Sequence, residues 1–194
     1  IFGPKLDEFE EKFALYHQCK FGIGVGNCTD AITIALKAFD VGPGDEVITT
    51  SNTAVPTVTA IVNTGASVKF VDINKYSLID VEKIENFINK KTKAIVPVHL
   101  YGQMCDMDQI MKIASKYNLK VIEDCAQSHG ATYKNRKAGS LGDVGCYSFY
   151  PTKIFGAYGD GGFISTNNEE LYDRMKRIRF LGMEKKKMSS GHWN

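Results

Sequence analysis

No apolar run in this 194-residue chain approaches the ~20 residues that cross a bilayer, which excludes a membrane-spanning helix. The opening Ile1-Phe2-Gly3-Pro4-Lys5 has no basic segment followed by an apolar one, so no secretory signal is expected. Neither sign of charge dominates. The 24 Lys and Arg stand against 22 Asp and Glu, a net charge of +2, too little for the concentrated basic surface of a nucleic-acid binder. No CxxC pair is present. The five cysteines, Cys19, Cys28, Cys105, Cys125 and Cys146, are odd in number and sparsely spaced, so a disulfide framework is not expected and a reducing cytoplasm fits. HExxH and paired-Cys zinc patterns are also missing. Cys125 and His129 have the spacing of helical metal ligands, but read more simply as a buried thiol beside an unrelated histidine. There is no internal repeat, low-complexity tract or interdomain linker.

What is present is a globular composition, 43% hydrophobic and 24% charged, in a length suited to one domain. Short apolar runs alternate with helical patterns. Strands are predicted at Phe21 to Val25, Glu46 to Thr50, Ser67 to Asp72, Lys93 to Val98, Lys120 to Asp124, Gly145 to Phe149 and Gly162 to Ser165. Helices are predicted around Leu6 to Tyr16, Thr29 to Phe39, Val55 to Asn63, Val81 to Ile88, Asp108 to Tyr117 and Asn168 to Leu181. In the last of these, Leu171, Met175, Ile178 and Leu181 form a stripe expected to face the core. The β-α alternation implies an α/β fold, a mostly parallel sheet with helices on both faces. Such sheets bind ligands outside the carboxyl ends of their strands.

Three segments occupy those positions. Gly24-Val25-Gly26-Asn27-Cys28-Thr29-Asp30 follows the first strand, with Thr29 and Asp30 available to cap the next helix. A helix N-terminus there suits a phosphate, although an ordinary strand–turn–helix cap looks the same. Neither GxxxxGK[ST] nor GxGxxG is present. Glu123-Asp124-Cys125-Ala126-Gln127-Ser128-His129-Gly130 ends another strand in two acids. A carboxylate there needs a partner: a metal, a proton to move, a cationic cofactor nitrogen, or a helix to cap. In Ser148-Phe149-Tyr150-Pro151-Thr152-Lys153-Ile154-Phe155-Gly156, one lysine sits among apolar and aromatic residues. Desolvation would favour imine chemistry at that amine, and snorkelling to solvent is the alternative. Together, a phosphate cradle, a strand-end carboxylate and a desolvated lysine are what pyridoxal 5'-phosphate (PLP) requires.

These motifs, with Gly65-Ala66, Val71-Asp72 and His99-Leu100-Tyr101-Gly102 in the same order, resemble the DegT/StrS family of PLP-dependent sugar-nucleotide aminotransferases. The resemblance implies the large domain of a fold-type-I aminotransferase. It implies Lys153 as the covalent cofactor anchor and catalytic proton carrier, and Asp124 as partner of the pyridine nitrogen. Gln127 would lie beside the ring and its hydroxyl. Cys28 (through its backbone), Thr29 and Ser148 would bind the phosphate, and His129 would line the site. Glutamate would donate the amino group to a ketone on a nucleotide-linked hexose. By the same resemblance, lysine at 153 argues against the family's dehydrating branch, which carries His there. Tyr150-Pro151-Thr152-Lys153 with Gly156-Ala157-Tyr158-Gly159-Asp160-Gly161-Gly162 favours members acting on 3-keto sugars over 4-keto ones. A cytoplasmic homodimer with shared active sites is implied, serving amino-sugar synthesis for a surface polysaccharide or a glycosylated metabolite. A non-catalytic or regulatory relative, or another PLP reaction on the scaffold, is the alternative.

Two residues depart from the family pattern. Cys28 replaces the usual Gly and is expected to crowd the phosphate turn. Ala54 replaces an aromatic that would stack on the ring. The chain opens on Ile1 rather than Met, and family members run to nearly twice its length, so residues 1–194 are expected to be an incomplete large domain without the small C-terminal one. Gly191-His192-Trp193-Asn194 resembles the start of a loop whose Asn reaches the partner subunit's phosphate, which makes Asn194 a candidate. The basic run Lys185-Lys186-Lys187 is expected to be a solvated loop, with a contact to a nucleotide diphosphate as the alternative.

Overall fold

The computed structural model describes residues 2–183; Lys185-Lys186-Lys187 and Asn194 lie outside the described residues. The elements follow the chain as α1 (Pro4–Tyr16), β1 (Phe21–Val25), α2 (Cys28–Ala38), β2 (Glu46–Thr50), α3 (Val55–Val62), β3 (Ser67–Val71), α4 (Val81–Ile84) and β4 (Thr92–Val96). Then come α5 (Met107–Tyr117), β5 (Lys120–Asp124), β6 (Thr132–Tyr133), β7 (Arg136–Lys137), β8 (Val144–Ser148), β9 (Gly162–Thr166) and α6 (Glu169–Arg179). Seven strands form one sheet in the order β1-β9-β8-β5-β4-β2-β3. Neighbours pair in parallel from β3 across to β8, and β9 runs antiparallel between β8 and β1.

Alternation along each strand splits the core between two faces. Ile23, Val47, Val96, Ile122, Cys146 and Ile164 pack with α2, α3 and α6. Their neighbours Ile48, Ile95 and Val121 turn the other way, toward Ile84 of α4 and Ile110 of α5. Tyr147 and Phe163 join Phe13 of α1 in an aromatic cluster on that second face. The helices therefore cover both faces of the sheet, as the β-α alternation predicts.

Local chemistry sets the helix starts. Asn27, Asp80, Asp106 and Asn168 each take an N-cap position, with the side chain accepting a backbone N–H of the first turn. Asn118 closes α5 in the left-handed conformation that Asn tolerates.

Three expectations need correction, and one hairpin was not expected. The helix predicted across Val81 to Ile88 has one α turn, Val81–Ile84, followed by a 3-10 turn, Glu85–Phe87. Ile88 is already extended as the chain turns into β4, and Phe87 is left partly exposed. In the stripe of α6, Leu171 and Met175 are buried and Ile178 packs on the core, but Leu181 is 86% exposed. It lies past the helix end at φ 57°, so the helical spacing no longer directs its side chain. The cap of α2 is Asn27 rather than Thr29, because only Asn27 has the extended backbone a cap requires. The two-residue strands β6 and β7, joined through Lys134 and Asn135 at positive φ, are too short to leave a periodic signal.

Candidate active site

The carboxyl ends of the parallel strands share one edge of the sheet. Register brings the residues of the expected phosphate turn to that edge. Gly162, which opens β9, pairs with Val25 on one side and Ser148 on the other. The turn after Val25 and the hydroxyl of Ser148 therefore flank a single residue. Gly162 is needed there, since a Cβ on it would lie 2.4 Å from the carbonyl carbon of Asn27. Asn27 Oδ1 accepts the Asp30 N–H (2.8 Å) and Asn27 Nδ2 donates to Asp30 Oδ2 (3.0 Å), which locks the turn. Cys28 and Thr29 follow as the first two helical residues, whose N–H groups have no intrahelical acceptor. Ser148 Oγ accepts the Tyr150 N–H (3.3 Å), leaving its hydrogen to donate elsewhere. The Cys28 thiol does not crowd the turn. Cys28 is buried in the core with Ile23, Cys146 and Ile164, and burial pushes the thiol pKa well above its ordinary value.

Behind this turn, a buried ion pair fastens the open edge of the sheet. Glu10 Oε1 accepts the Gly24 N–H (2.8 Å), and Arg179 Nη1 donates to Glu10 Oε1 (2.5 Å) and to the Gly24 carbonyl (3.0 Å). The pair thus occupies backbone groups that a further strand would use. A cleft of about 240 Å³ lies beside it, lined by Gly26, Asp30, Ile178 and Arg179 among others; Asp124, Gln127, Ser148 and Lys153 are not part of it.

Asp124 ends β5 and is 4% exposed. Its N–H donates to the Pro97 carbonyl (2.9 Å), its carbonyl accepts the His99 N–H (3.0 Å), and it lies opposite Cys146 of β8. Its Oδ1 accepts the Ala126 N–H (3.0 Å) and its Oδ2 accepts the Thr57 hydroxyl (2.7 Å). Among the described residues no cation lies within ion-pair distance of this carboxylate. Burial raises its pKa; Thr57, the Ala126 N–H, His99 and Lys153 pull it back. It is an acceptor at a strand end whose environment suits a cationic hydrogen-bond donor.

The adjacent Glu123 is fully buried and satisfied. It accepts the N–H groups of Gly139, Leu141 and Gly142, and His99 Nε2 at 2.9 Å. Cys105 N–H donates to His99 Nδ1, so the ring hydrogen sits on Nε2 and points at Glu123. Burial alone would raise the Glu123 pKa, but these donors hold it below its ordinary value. His99, Glu123 and Cys125 converge within 4.8 Å, yet the carboxylate oxygens are already occupied and burial keeps the Cys125 thiol protonated. This cluster is a structural network that ties β5 to the loop before β8. The Cys125–His129 spacing is not helical, since a turn follows β5.

Gln127 Oε1 accepts the Tyr101 N–H (2.8 Å), which fixes the amide so that Nε2 is left as a donor. His129 packs against Phe13, Tyr147 and Phe149. Both of its ring nitrogens are buried without a hydrogen-bond partner among the described residues. Burial drives its pKa down to about 4. The Lys153 charge is felt at Asp124, Cys28 and His129, which sets the lysine on the same edge. Lys153 itself is half-buried rather than desolvated, because Tyr150, Ile154 and Tyr158 around it are exposed and the ring of Phe155 packs on Phe13 and Phe149 instead. Ala54 is exposed at the start of α3, and no aromatic stands there.

The sequence pattern of the DegT/DnrJ/EryC1/StrS aminotransferase family matches residues 1–193. The chain belongs to this family. Among DegT/DnrJ/EryC1/StrS relatives, a dTDP-3-amino-3,6-dideoxy-alpha-D-galactopyranose transaminase of Aneurinibacillus thermoaerophilus is 54% identical over 96% of this chain and 52% of its own length. A dTDP-3-amino-3,4,6-trideoxy-alpha-D-glucose transaminase of Micromonospora megalomicea subsp. nigra is 47% identical over 95% of this chain and 50% of its own. The solved structure of NtdA from Bacillus subtilis, with bound cofactor PMP, superposes with a TM-score of 0.88 at 39% identity, covering 97% of this chain and 44% of that one. The chain thus spans about half the length of the relatives it matches.

Sequence reasoning missed four supports of this candidate site: Thr57 under Asp124, His17 under the Gln127 loop, and the Glu10–Arg179 pair. His17 Nδ1 donates to the Phe13 carbonyl (3.1 Å) and Nε2 accepts the Gly130 N–H (3.2 Å), pinning that loop to α1. The contacts that tie Thr57 to Asp124, His17 to Gly130 and Glu10 to Arg179 are distant in sequence, so no local motif marks them.

Proposed function

We propose that this chain is the PLP-binding large domain of an aminotransferase that moves an amino group from glutamate to a nucleotide-linked keto-deoxyhexose. The observation that carries this reading is Asp124, a buried carboxylate with no cation partner among the described residues, on the edge that also bears Lys153, Ser148 and the start of α2. The donor set suits PLP. Cys28 N–H, the Thr29 N–H and hydroxyl, and the Ser148 hydroxyl offer hydrogen bonds to a phosphate at the positive end of α2. The Gln127 amide offers one to a ring hydroxyl, and Asp124 accepts one from a protonated ring nitrogen. When bound, PLP supplies an electron sink that stabilises negative charge developing at the amino-bearing carbon.

The chain's own groups then divide the work. The Lys153 amine would anchor the cofactor and, as a free amine, would take up the proton from the amino-bearing carbon of the donor. Asp124 keeps the ring nitrogen protonated through the cycle, because its charge would be stranded in a buried site otherwise. Asn27 and Gly162 hold the turn so that the phosphate donors are preorganised.

The 3-keto preference is part of the proposal. It is supported by the Tyr150-Pro151-Thr152-Lys153 segment and by the 3-amino-sugar names of the two relatives. A homodimer with shared active sites is supported by the exposed apolar side chains of Tyr150, Ile154, Phe155 and Tyr158 around Lys153. A role for Asn194 across that interface is proposed from its sequence context alone. Five unpaired cysteines support a cytoplasmic setting, and no helix among the described residues is long and apolar enough to cross a membrane. We place the small domain, with its share of the substrate contacts, outside residues 1–194.

The test is transfer of isotopically labelled nitrogen from glutamate to a dTDP-linked 3-keto-6-deoxyhexose by the full protein, read by mass spectrometry, with the 4-keto isomer in parallel. Labelled 3-amino product, lost in Lys153→Ala, is expected. Label in the 4-amino product alone would overturn the regiochemistry, and no label in either would overturn the reaction.

A further inference from the structure

We propose that Thr57 is a positioning residue for Asp124, the inner end of a Thr53–Thr57–Asp124 hydrogen-bond relay that fixes carboxylate Oδ2 at the site. The proposal rests on the reading of Asp124 as the partner of a cofactor nitrogen, and its test separates the two.

Thr57 lies in the first turn of α3 and is 1% exposed, against 4% for Asp124. Its Oγ1 stands 2.7 Å from Asp124 Oδ2. A hydroxyl has one hydrogen, and a carboxylate oxygen only accepts, so Thr57 donates. Its Oγ1 is then free to accept, and Thr53 Oγ1 lies 2.8 Å away on the preceding turn of chain. The direction of the relay follows: Thr53 to Thr57 to Asp124. Thr53 is only half-buried, so the outer end can exchange with water while the inner end stays dry.

The two carboxylate oxygens are therefore held by different elements. Oδ1 is held by the Ala126 N–H of its own loop and Oδ2 by α3 from across the sheet edge. With both contacts made, the carboxylate plane cannot rotate. Donation to an ionised acceptor is also stronger than donation to a neutral one, which favours the charged form. Burial works against that form, and Thr57 heads the groups that oppose it, ahead of Ala126, His99 and Lys153. The other titratable groups that sense this carboxylate are the buried thiols of Cys28, Cys125 and Cys146, and burial keeps all three neutral.

Thr57→Val keeps the shape and removes the donor; Thr57→Ser keeps the donor and removes a methyl group. The experiment uses the full chain and reads two quantities. One is the carboxyl titration of Asp124 in the protein without PLP, followed by isotope-edited infrared spectroscopy with Asp124→Asn as the blank. The other is the equilibrium binding of PLP. Thr57→Val is expected to raise the carboxyl midpoint by about one pH unit and to weaken PLP binding about tenfold near neutral pH, with Thr57→Ser close to the parent in both. An unchanged midpoint in Thr57→Val, or a Thr57→Ser variant as impaired as Thr57→Val, would overturn the proposal and leave Thr57 a packing residue. Should Thr57→Val not fold, Thr53→Val reads the same relay from its outer end. It should shift the midpoint the same way by a smaller amount, and no shift would overturn the relay. If the parent protein binds no PLP, the cofactor reading fails while the infrared titration still judges Thr57.

Discussion

Gly162 and Asn27 are in backbone contact so close that any side chain at 162 would strike the Asn27 peptide: a Cβ would lie 2.4 Å from its carbonyl carbon and 2.5 Å from its oxygen. This contact joins the first residue of β9 to the cap of α2, and it sets the distance between Ser148 and the first N–H groups of that helix.

Gly162→Ala should therefore displace the turn rather than be absorbed. Overpacking of this kind costs about 1–3 kcal/mol. The expected outcome is a lower urea midpoint together with weaker binding of PLP. Equal loss of affinity for pyridoxal, which has no phosphate, would place the damage elsewhere in the site.

The Glu10–Arg179 pair is mostly buried, with side-chain exposures of 11% and 14%. Removing the cation leaves Glu10 as an uncompensated carboxylate next to the Gly24 N–H. Arg179→Met is expected to destabilise by about 3 kcal/mol, in the range for breaking one side of a buried pair. Amide exchange should accelerate along β1, whose outer edge the pair covers. Replacing both, as Glu10→Gln with Arg179→Met, should recover part of the loss. No recovery would mean that the charge is not the origin.

Stability should fall with acid through His17. Burial depresses its pKa from 6.5 to about 4. The unfolded chain therefore binds the proton first, and the contribution of His17 is complete above pH 6.5 and is lost as pH falls toward about 4. Within that window the slope is about 1.4 kcal/mol per pH unit for this one group. Asn at 17 mimics the Nδ1–H donor without titrating. His17→Asn should flatten the acid limb of urea midpoints measured from pH 7 to 4, and an unchanged limb would refute the assignment.

Much of the fold was legible because its strands are short, apolar and bounded by turn residues. Phe21–Val25, Glu46–Thr50 and Lys120–Asp124 have the limits that their patterns predict. That three strand-end segments share one edge was legible, since parallel topology alone brings such segments together. What could not be read was direction and distance. The apolar neighbours of Lys153 suggest shielding, yet Ile154 and Tyr158 are exposed and Phe155 packs on Phe13 and Phe149. The Cys28 side chain suggests an obstructed turn, yet the first helical turn directs it into the core. Thr57 lies 67 residues from Asp124 in the chain, and nothing local in its segment marks it as a donor to that carboxylate.

Lys153 is proposed as the amine that carries the cofactor, on the edge that also bears Asp124. The most direct measurement is borohydride reduction of the protein in the presence of PLP, followed by peptide mapping by mass spectrometry. Reduction makes the lysine–cofactor linkage permanent. One cofactor adduct is expected, on Lys153, absent from Lys153→Ala. No adduct in the parent protein, or an adduct on another lysine that persists in Lys153→Ala, would contradict it.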